Sequence, residues 1–580
     1  MLHQLIILTY RLKYLVSVVR SVAGVMYVTP PFFRPRLIEN SVTVVRNMFP
    51  SSHLSDTSNT LNIDTSFYVT WVKHIFNLET IRVARIIRMT SSATSTSTTL
   101  PKYNVAIIGG GITGATAAQT LAKYDNVNIH LFDQGRSGVG GRTSTRAVNS
   151  NTRDKTNTNT DNKSEPSMRW DHGCQFFRAD TDKFKLLVKD WMTKGFIQEW
   201  KGNFMSSPSA SPSRDFFGLP SHPPFYVGVD GMQSISKGIL HHILNTQNKD
   251  NDKDNGDTCP QLNLFTGTRV AQLERDKESN RWKLFGTSGT AAFHDTPEKT
   301  VQQSNDKIQL GAMEGYDAII LTDVSSSFGQ WHRASAGVPE SFASKVRERV
   351  GSRVPLFTAM IAFETESGIP FDAATFDHDV IWFASKSNAK PGMEGESENN
   401  KSGMKMKECW TLVSTPEYAM DKIEETPMQD SITGDFIPQS KDYLTTVPGP
   451  DLIKAFCNDL TSKDGILGDN ALSLSLVDIP KVVHVDAQRW GSAMPTHRHL
   501  DDSSQTRKVL SGVAYDSGRS PLAPTKLEEC RRGDGQSFLM DDNLMLFQAG
   551  DMMSNYTPGF ESAAISGSDA ATCLWSKISS

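Results

Sequence analysis

No two cysteines of this 580-residue chain stand at CxxC spacing; Cys174, Cys259, Cys409, Cys457, Cys530 and Cys573 are scattered singly. That pattern excludes a zinc ribbon and a redox dithiol and argues against a disulfide framework, so the cysteines read as reduced thiols of an intracellular compartment. Long apolar runs are also missing. The best, "LIILTYRLKYLVSVVRSVAGVMYV" from Leu5, is interrupted by Arg11, Lys13 and Arg20, short of the roughly 18 uninterrupted apolar residues of a spanning helix. Nor does one sign of charge dominate. A net charge of -4 leaves no electrostatic footprint for nucleic acid. Hydrophobic residues at 38% and charged residues at 21% describe a globular chain with polar inserts, long enough for roughly two to four domains.

Residues 1–88 hold ten Lys/Arg against four Asp/Glu, with no acid before Glu39. A basic, acid-poor, amphipathic lead fits an organelle presequence for a plastid or mitochondrion. Met89 opens "MTSSATSTSTTLPKYN", which reads equally well as a natural start, in which case the protein is cytoplasmic. From Tyr103 the pattern becomes regular. "YNVAIIG", glycines, "ITGATAAQTLAKY" and "NVNIHLFD" read as strand, turn, helix, strand. Strand-like runs recur at Leu264, Tyr316, Leu356, Cys409 and Leu544. Polar stretches from Asn149, Asn245, Lys386 and Asp501 read as solvated insertions decorating one fold.

The tract "NVAIIGGGITGATAAQTLAKYDNVNIHLFDQGRSGVGGRTSTR", residues 104–146, carries the chemistry. Gly109 permits a tight turn, Gly111 lets backbone approach a diphosphate, and Gly114 allows close packing of helix on strand, while Ile112 and Thr113 open the helix whose N-terminus offers N–H donors. Asp133 closes the second strand 24 residues after Gly109, where a carboxylate accepts from a ribose hydroxyl. A second glycine cluster, Gly138, Gly140 and Gly141, then precedes Arg142. More close-approach backbone and a guanidinium suit a ligand longer than a nicotinamide dinucleotide requires. Near the C-terminus, "LMLFQAGDMMSNYTPGFESAAISGSDAATCLW" predicts a strand ending at Gly550-Asp551 and a helix from about Gly559.

The tract after Asp133 resembles the doublet-glycine motif of the FAD-dependent amine oxidase and glutathione-reductase-like superfamily. With "WDHGCQFFRADTDKF", "PPFYVGVDGMQSISKGI", "YDAIILTD", "CWTLVSTPEY" and "AQRWGSAMPTHR" in that order, the chain resembles renalase and its bacterial NAD(P)/FAD-dependent oxidoreductase relatives over most of residues 103–580. The resemblance implies an α/β fold: a discontinuous Rossmann-type FAD-binding domain (101–176, 225–325 and 541–580) and a substrate domain of mixed sheet plus helices (177–224 and 326–540), after an N-terminal extension (1–100). It implies noncovalent FAD held by Gly109, Gly111, Ile112, Thr113, Gly114, Asp133, Gly140, Gly141, Arg142, Gln175, Val270, Gly550, Asp551 and Phe560, with Phe176, Arg489 and Trp490 lining the catalytic pocket.

Phe176 stands where the family has Tyr, which removes a hydroxyl role. His172 reads as a donor to the flavin or a satisfied buried histidine, and Cys174, with no basic neighbour in sequence, as packing. The pair His497 and His499, beside Asp501 and Asp502, lacks a third well-spaced ligand, so no metal is expected. The expected activity is hydride transfer from a small substrate, a reduced nicotinamide or an amine, to flavin, with O2 as acceptor. Carotenoid desaturases and protoporphyrinogen oxidase share the fold but need an extended apolar channel, for which there is no insertion. Rab GDP-dissociation inhibitors share it without catalysis, whereas the retained glycines, Arg142 and Gly550-Asp551 favour a filled cofactor site.

Overall fold

The computed structural model describes residues 103–579 apart from 136–137, 149–167, 207–223, 252–260, 289–307, 328–337, 351–352, 395–406, 428–436, 438, 470–478, 496–535 and 555–558. The N-terminal extension, the insertion from Asn149, most of the stretch from Asp501 and the pair His497/His499 thus fall outside the described residues. Leu100–Ser580 forms one compact unit.

β-branched and aliphatic residues of "YNVAII" and "VNIHLF" form adjacent parallel strands, Tyr103–Ile108 and Val127–Phe132. They lie inside a six-stranded sheet ordered Leu539–Asp541, Leu546–Gln548, Ala318–Leu321, Tyr103–Ile108, Val127–Phe132, Gln261–Phe265. All pairs are parallel except the outermost, Leu539–Asp541 with Leu546–Gln548. Such strands are buried on both faces, which explains their continuous apolar runs. Because Ile108 is level with Leu321 and Phe132, and Leu321 with Gln548, the strand ends Gly109, Asp133, Thr322 and Gly550 share one edge of the sheet. The chain crosses to opposite sides of Tyr103–Ile108, so that edge contains the switch point at which open α/β sheets bind ligands.

Small residues decide how the helices lie. Nine of the ten residues of the helix Ile112–Leu121 are buried, and the C-terminal helix Phe560–Ile578 packs along it. A Cβ on Gly567 would stand 2.1 Å from the Thr113 carbonyl oxygen, and the Thr116 hydroxyl donates to the Ala564 carbonyl at 2.9 Å. Two backbones in contact need side chains no larger than these.

A second six-stranded sheet runs Val482–Pro495, Arg353–Phe363, Glu408–Ser414, Ile381–Lys386, Ala373–Thr375, Phe204–Ser206, antiparallel but for the last pair. Strand alternation splits its side chains between two cores. Leu356, Phe383 and Val413 join the core of the Rossmann sheet. Phe357, Ala359, Ile361 and Phe363 face a separate core with Leu452, Phe456 and Leu460 of the helix Pro448–Thr461. A three-stranded antiparallel sheet, Thr268–Arg275, Trp282–Ser288 and Ile308–Leu310, completes the major elements. Among the described residues no helix is long and apolar enough to cross a membrane.

Candidate cofactor and substrate site

Gly109 leaves the first strand at φ +106°, the left-handed region open to glycine. A side chain on Gly114 would place Cβ 1.9 Å from the Gly109 carbonyl oxygen, so this glycine sets the contact between helix and strand. Gly111 differs. Its nearest neighbour, the Gly140 carbonyl oxygen, would be 3.5 Å from a Cβ, and a Cβ on Gly141 would in return stand 3.7 Å from Gly111 Cα. The two glycine clusters therefore face each other, with only main chain between them. A Cβ on Gly550 would stand 3.7 Å from the Thr322 carbonyl oxygen and 4.0 Å from the Thr113 hydroxyl. Three backbone segments thus come together at the start of the helix Ile112–Leu121.

Asp133 stands at the end of the second strand, where its carboxylate accepts from Gly110 N–H at 2.7 Å and Gly135 N–H at 2.6 Å. Burial raises its pKa; the two backbone donors counter this only in part. One lone pair on each oxygen is left for a hydroxyl. Arg142 makes a two-pronged pair with Asp551, Nη1 to Oδ2 at 2.9 Å and Nη2 to Oδ1, and Nη1 also donates to the Ala493 carbonyl at 3.0 Å. Burial works against the guanidinium charge, but Asp551 outweighs it and raises the pKa of Arg142. Residues 142, 493 and 551 are thereby drawn together although 409 positions separate the first and last.

Facing this cradle runs the segment from Asp171 to Phe176. Gln175 is buried, and its amide is fully used: Nε2 donates to the carbonyls of Asp171 and Gly173 at 2.6 and 2.9 Å, while Oε1 accepts from Ser385 at 2.8 Å and Lys390 at 3.1 Å. No side-chain capacity is left for a ligand, so a cofactor contact at Gln175 would fall to its main chain. Lys390 was hidden in what reads as a solvated insertion. Its first residues instead continue the strand Ile381–Lys386 into a short 3-10 turn, Ser387–Ala389, and leave the Lys390 side chain fully buried. The available signal was that only five residues separate the apolar "IWFAS" run from the Pro391-Gly392 pair, which leaves room for a compact turn only.

His172 stacks on Trp490 with centroids 5.3 Å apart, and the indole Nε1 donates to the His172 carbonyl at 2.8 Å. Its buried Nδ1 has no partner, so it is not the satisfied core histidine expected. Burial, aided by the Arg146 charge, lowers its pKa to about 3, and the ring is neutral at physiological pH. Gly173 next to it is obligatory, because a Cβ would meet the Arg142 carbonyl at 2.1 Å. Cys174 does have cations nearby, Lys390 and Arg142, contrary to expectation. Burial nonetheless prevails and pushes the thiol up to about 12, so it stays protonated. Phe176 joins Trp200, Phe225 and Phe383 in an aromatic group with centroids 5.0 to 6.2 Å away.

Three expected contacts are not brought here. Arg489 pairs in register with Phe357, on the face opposite Trp490, and its guanidinium donates to the Gln439 side chain and, at 2.9 Å, to the Ile437 carbonyl. Burial there lowers its pKa to about 10. The alternation of a strand assigns only one of two neighbouring residues to the site. Val270 belongs to the three-stranded sheet and packs with Ile108 against the core of Phe132, Leu273 and Trp282. Phe560 opens the C-terminal helix and stacks on Phe177 at 4.1 Å, beneath the segment rather than in the cradle.

Against known proteins, the chain is similar over 82% of its length to reduced UDP-galactopyranose mutase, at 12% identity and a TM-score of 0.44, covering 94% of that chain. It is similar over 82% of its length to putrescine oxidase bound to putrescine, at 12% identity and a TM-score of 0.40, covering 99% of that chain. An oxidoreductase from Methanosarcina mazei is matched over 67% of this chain and 88% of that one, at 8% identity and a TM-score of 0.39. Residues 107–191, which hold the whole glycine cradle up to Arg142 and the segment Asp171–Phe176, match the family of NAD(P)-binding Rossmann-like domains.

Proposed function

We propose that residues 101–580 form an FAD-dependent oxidoreductase that takes hydride from a small substrate, a reduced nicotinamide or a simple amine, and passes the electrons to O2. The observation that carries this reading is the meeting of Gly111, Gly140–Arg142 and Gly550–Asp551 at the switch-point edge of a parallel sheet. The cradle suits an extended dinucleotide: bare backbone where a diphosphate comes close, N–H donors at a helix start, and a carboxylate at the neighbouring strand end. Bound there, FAD supplies a two-electron acceptor that no side chain of the chain provides. On this reading 101–176, 225–325 and 541–580 hold the cofactor noncovalently, and 177–224 with 326–540 close over the substrate.

The chain's own task is orientation and exclusion of water. The stacked His172 and Trp490 and the aromatic group around Phe176 give the cleft apolar walls, and a neutral imidazole and a protonated thiol keep it free of unpaired charge. The test is direct. Purified protein reconstituted with FAD should show a flavin spectrum, and anaerobic addition of reduced nicotinamide isomers or simple amines should bleach it. Absence of bound flavin after reconstitution overturns the cofactor assignment; a flavin that neither class bleaches overturns the substrate assignment.

A further inference from the structure

Asp171 and Lys390, 219 positions apart, form an ion pair in which both side chains have no exposed surface. Every polar atom of the pair is engaged. The Lys390 ammonium donates to Asp171 Oδ2 and to Gln175 Oε1, each at 3.1 Å, and lies 5.5 Å from the centre of the Trp200 ring. Two oxygens and an aromatic face thus take up its three N–H bonds. Asp171 Oδ1 accepts from the Thr145 hydroxyl at 2.7 Å and Met232 N–H at 2.8 Å, and the Asp171 carbonyl accepts from Thr411 at 3.0 Å. Thr145 and Met232 sit beside the Rossmann sheet, while Ser385, Lys390 and Thr411 belong to the second sheet or the turn after it.

We propose that Lys390 is a positioning residue: through Asp171 and Gln175 it locks the segment Asp171–Phe176 between the two sheets, so that His172, Cys174 and Phe176 face the cleft in one arrangement. Removing either charge strands the other in a site without water, and a stranded buried charge must neutralise or pull its segment open. Among the described residues Arg142 also bears on the Cys174 thiol; the Arg169–Asp230 pair at the neighbouring position of the strand is partly solvent-exposed. Thr145, Met232, Ser385 and Thr411 bring no charge to offset a loss.

Opposite pH signatures follow for the two single variants. In Lys390→Met the carboxylate is tolerated when protonated, so the segment stays closed in acid and opens as pH rises. In Asp171→Asn the amine is tolerated when neutral, so the segment opens as pH falls. The double variant carries no stranded charge and stays closed throughout.

The readout is the modification rate of Cys174 by a small thiol reagent in the full chain, corrected with matched Cys174→Ser proteins and expressed relative to wild type at each pH. We expect at least a tenfold rise for Lys390→Met at pH 8.5 that shrinks toward wild type at pH 6, the reverse trend for Asp171→Asn, and a flat ratio near one for the double variant. A pH-independent ratio in both single variants, or a double variant as reactive as Lys390→Met, overturns the lock. Should one single variant fail to fold, the other single and the double still decide.

The orientation claim rests on the FAD reading. In flavin-loaded protein, Lys390→Met should lose about tenfold in kcat with KM changed less than twofold, and the double variant should recover; equal losses in both overturn it. The thiol result does not need flavin, so a wild type that binds none sinks the cofactor reading while leaving the lock to be judged by itself.

Discussion

The glycine cradle and the Asp171–Lys390 lock each join chain segments hundreds of residues apart. They do so by opposite means. The cradle works by leaving side chains out: a Cβ on Gly111, Gly141 or Gly550 would stand 3.5 to 3.7 Å from its nearest neighbour, and Gly141 and Gly550 hold positive φ angles that glycine alone adopts freely. The lock works by filling space with charge whose every hydrogen bond is met. Absence is written locally, as a short run of glycines after a strand. Saturation is distributed, since Asp171, Gln175, Ser385, Lys390 and Thr411 mean nothing apart. The two regions should accordingly fail differently when altered.

The largest effect is expected where a glycine of the cradle tract serves packing instead of ligand approach. Gly114→Ala drives a Cβ to 1.9 Å from the Gly109 carbonyl oxygen. Backbone cannot give way as a flexible side chain does, so the cost is about 3 kcal/mol or more. A thermal midpoint within a degree or two of wild type would contradict the packing geometry. Gly111→Asp makes the complementary case. Its φ of -70° suits any residue and the nearest atom is 3.5 Å away, so the fold should persist. A carboxylate facing a diphosphate should nonetheless weaken FAD binding by roughly a hundredfold, about 2.7 kcal/mol. A variant as yellow as wild type at equal FAD would remove Gly111 from the cradle.

These contrasts mark what sequence can deliver. The strand, turn, helix and strand from Tyr103 to Phe132 were legible because hydrophobic period and glycine position are local, and so was the C-terminal strand and helix around Gly550. The pairing of Arg142 with Asp551 was not legible, because nothing in either neighbourhood encodes the other. Lys390 was misread, since polarity in a window of residues records solvation on average and one buried lysine disappears into it. Arg489 was misplaced for a further reason: a strand's two faces are told apart by the partner sheet, and both Arg489 and Trp490 are bulky and plausible. Gln175 stood in the right segment, yet its amide is spent on the lock.

Acid should separate a second buried charge of the same sheet from the lock. Glu408 is opposed by burial, but the Ser367 hydroxyl, the Trp410 indole and the Lys386 ammonium hold its pKa below the ordinary 4.5. A carboxylate with a depressed folded pKa stabilises fully above its unfolded value and loses that contribution as pH falls through the folded one. Denaturant unfolding of wild type should therefore weaken progressively below pH 4.5. Glu408→Gln, about 1 to 2 kcal/mol less stable at pH 7, should converge on wild type in acid. A difference that stays constant down to pH 3 would mean that the carboxylate contributes no charge-dependent stability.

The smallest effect tests the two faces of the strand Val482–Pro495 with adjacent residues. Trp490 stacks on His172; on the proposed reading it walls the substrate site, so Trp490→Ala should keep its flavin and be reduced about tenfold more slowly, since orientation is what the wall provides. Arg489 points the other way, to Gln439 and the Ile437 carbonyl. Arg489→Leu should cost about 1 kcal/mol of stability through those lost hydrogen bonds and leave the rate of flavin reduction within twofold of wild type. Stopped-flow reduction of both variants by one substrate settles the matter. Slower reduction in Arg489→Leu than in Trp490→Ala would put the guanidinium, and not the indole, on the substrate's side of the sheet.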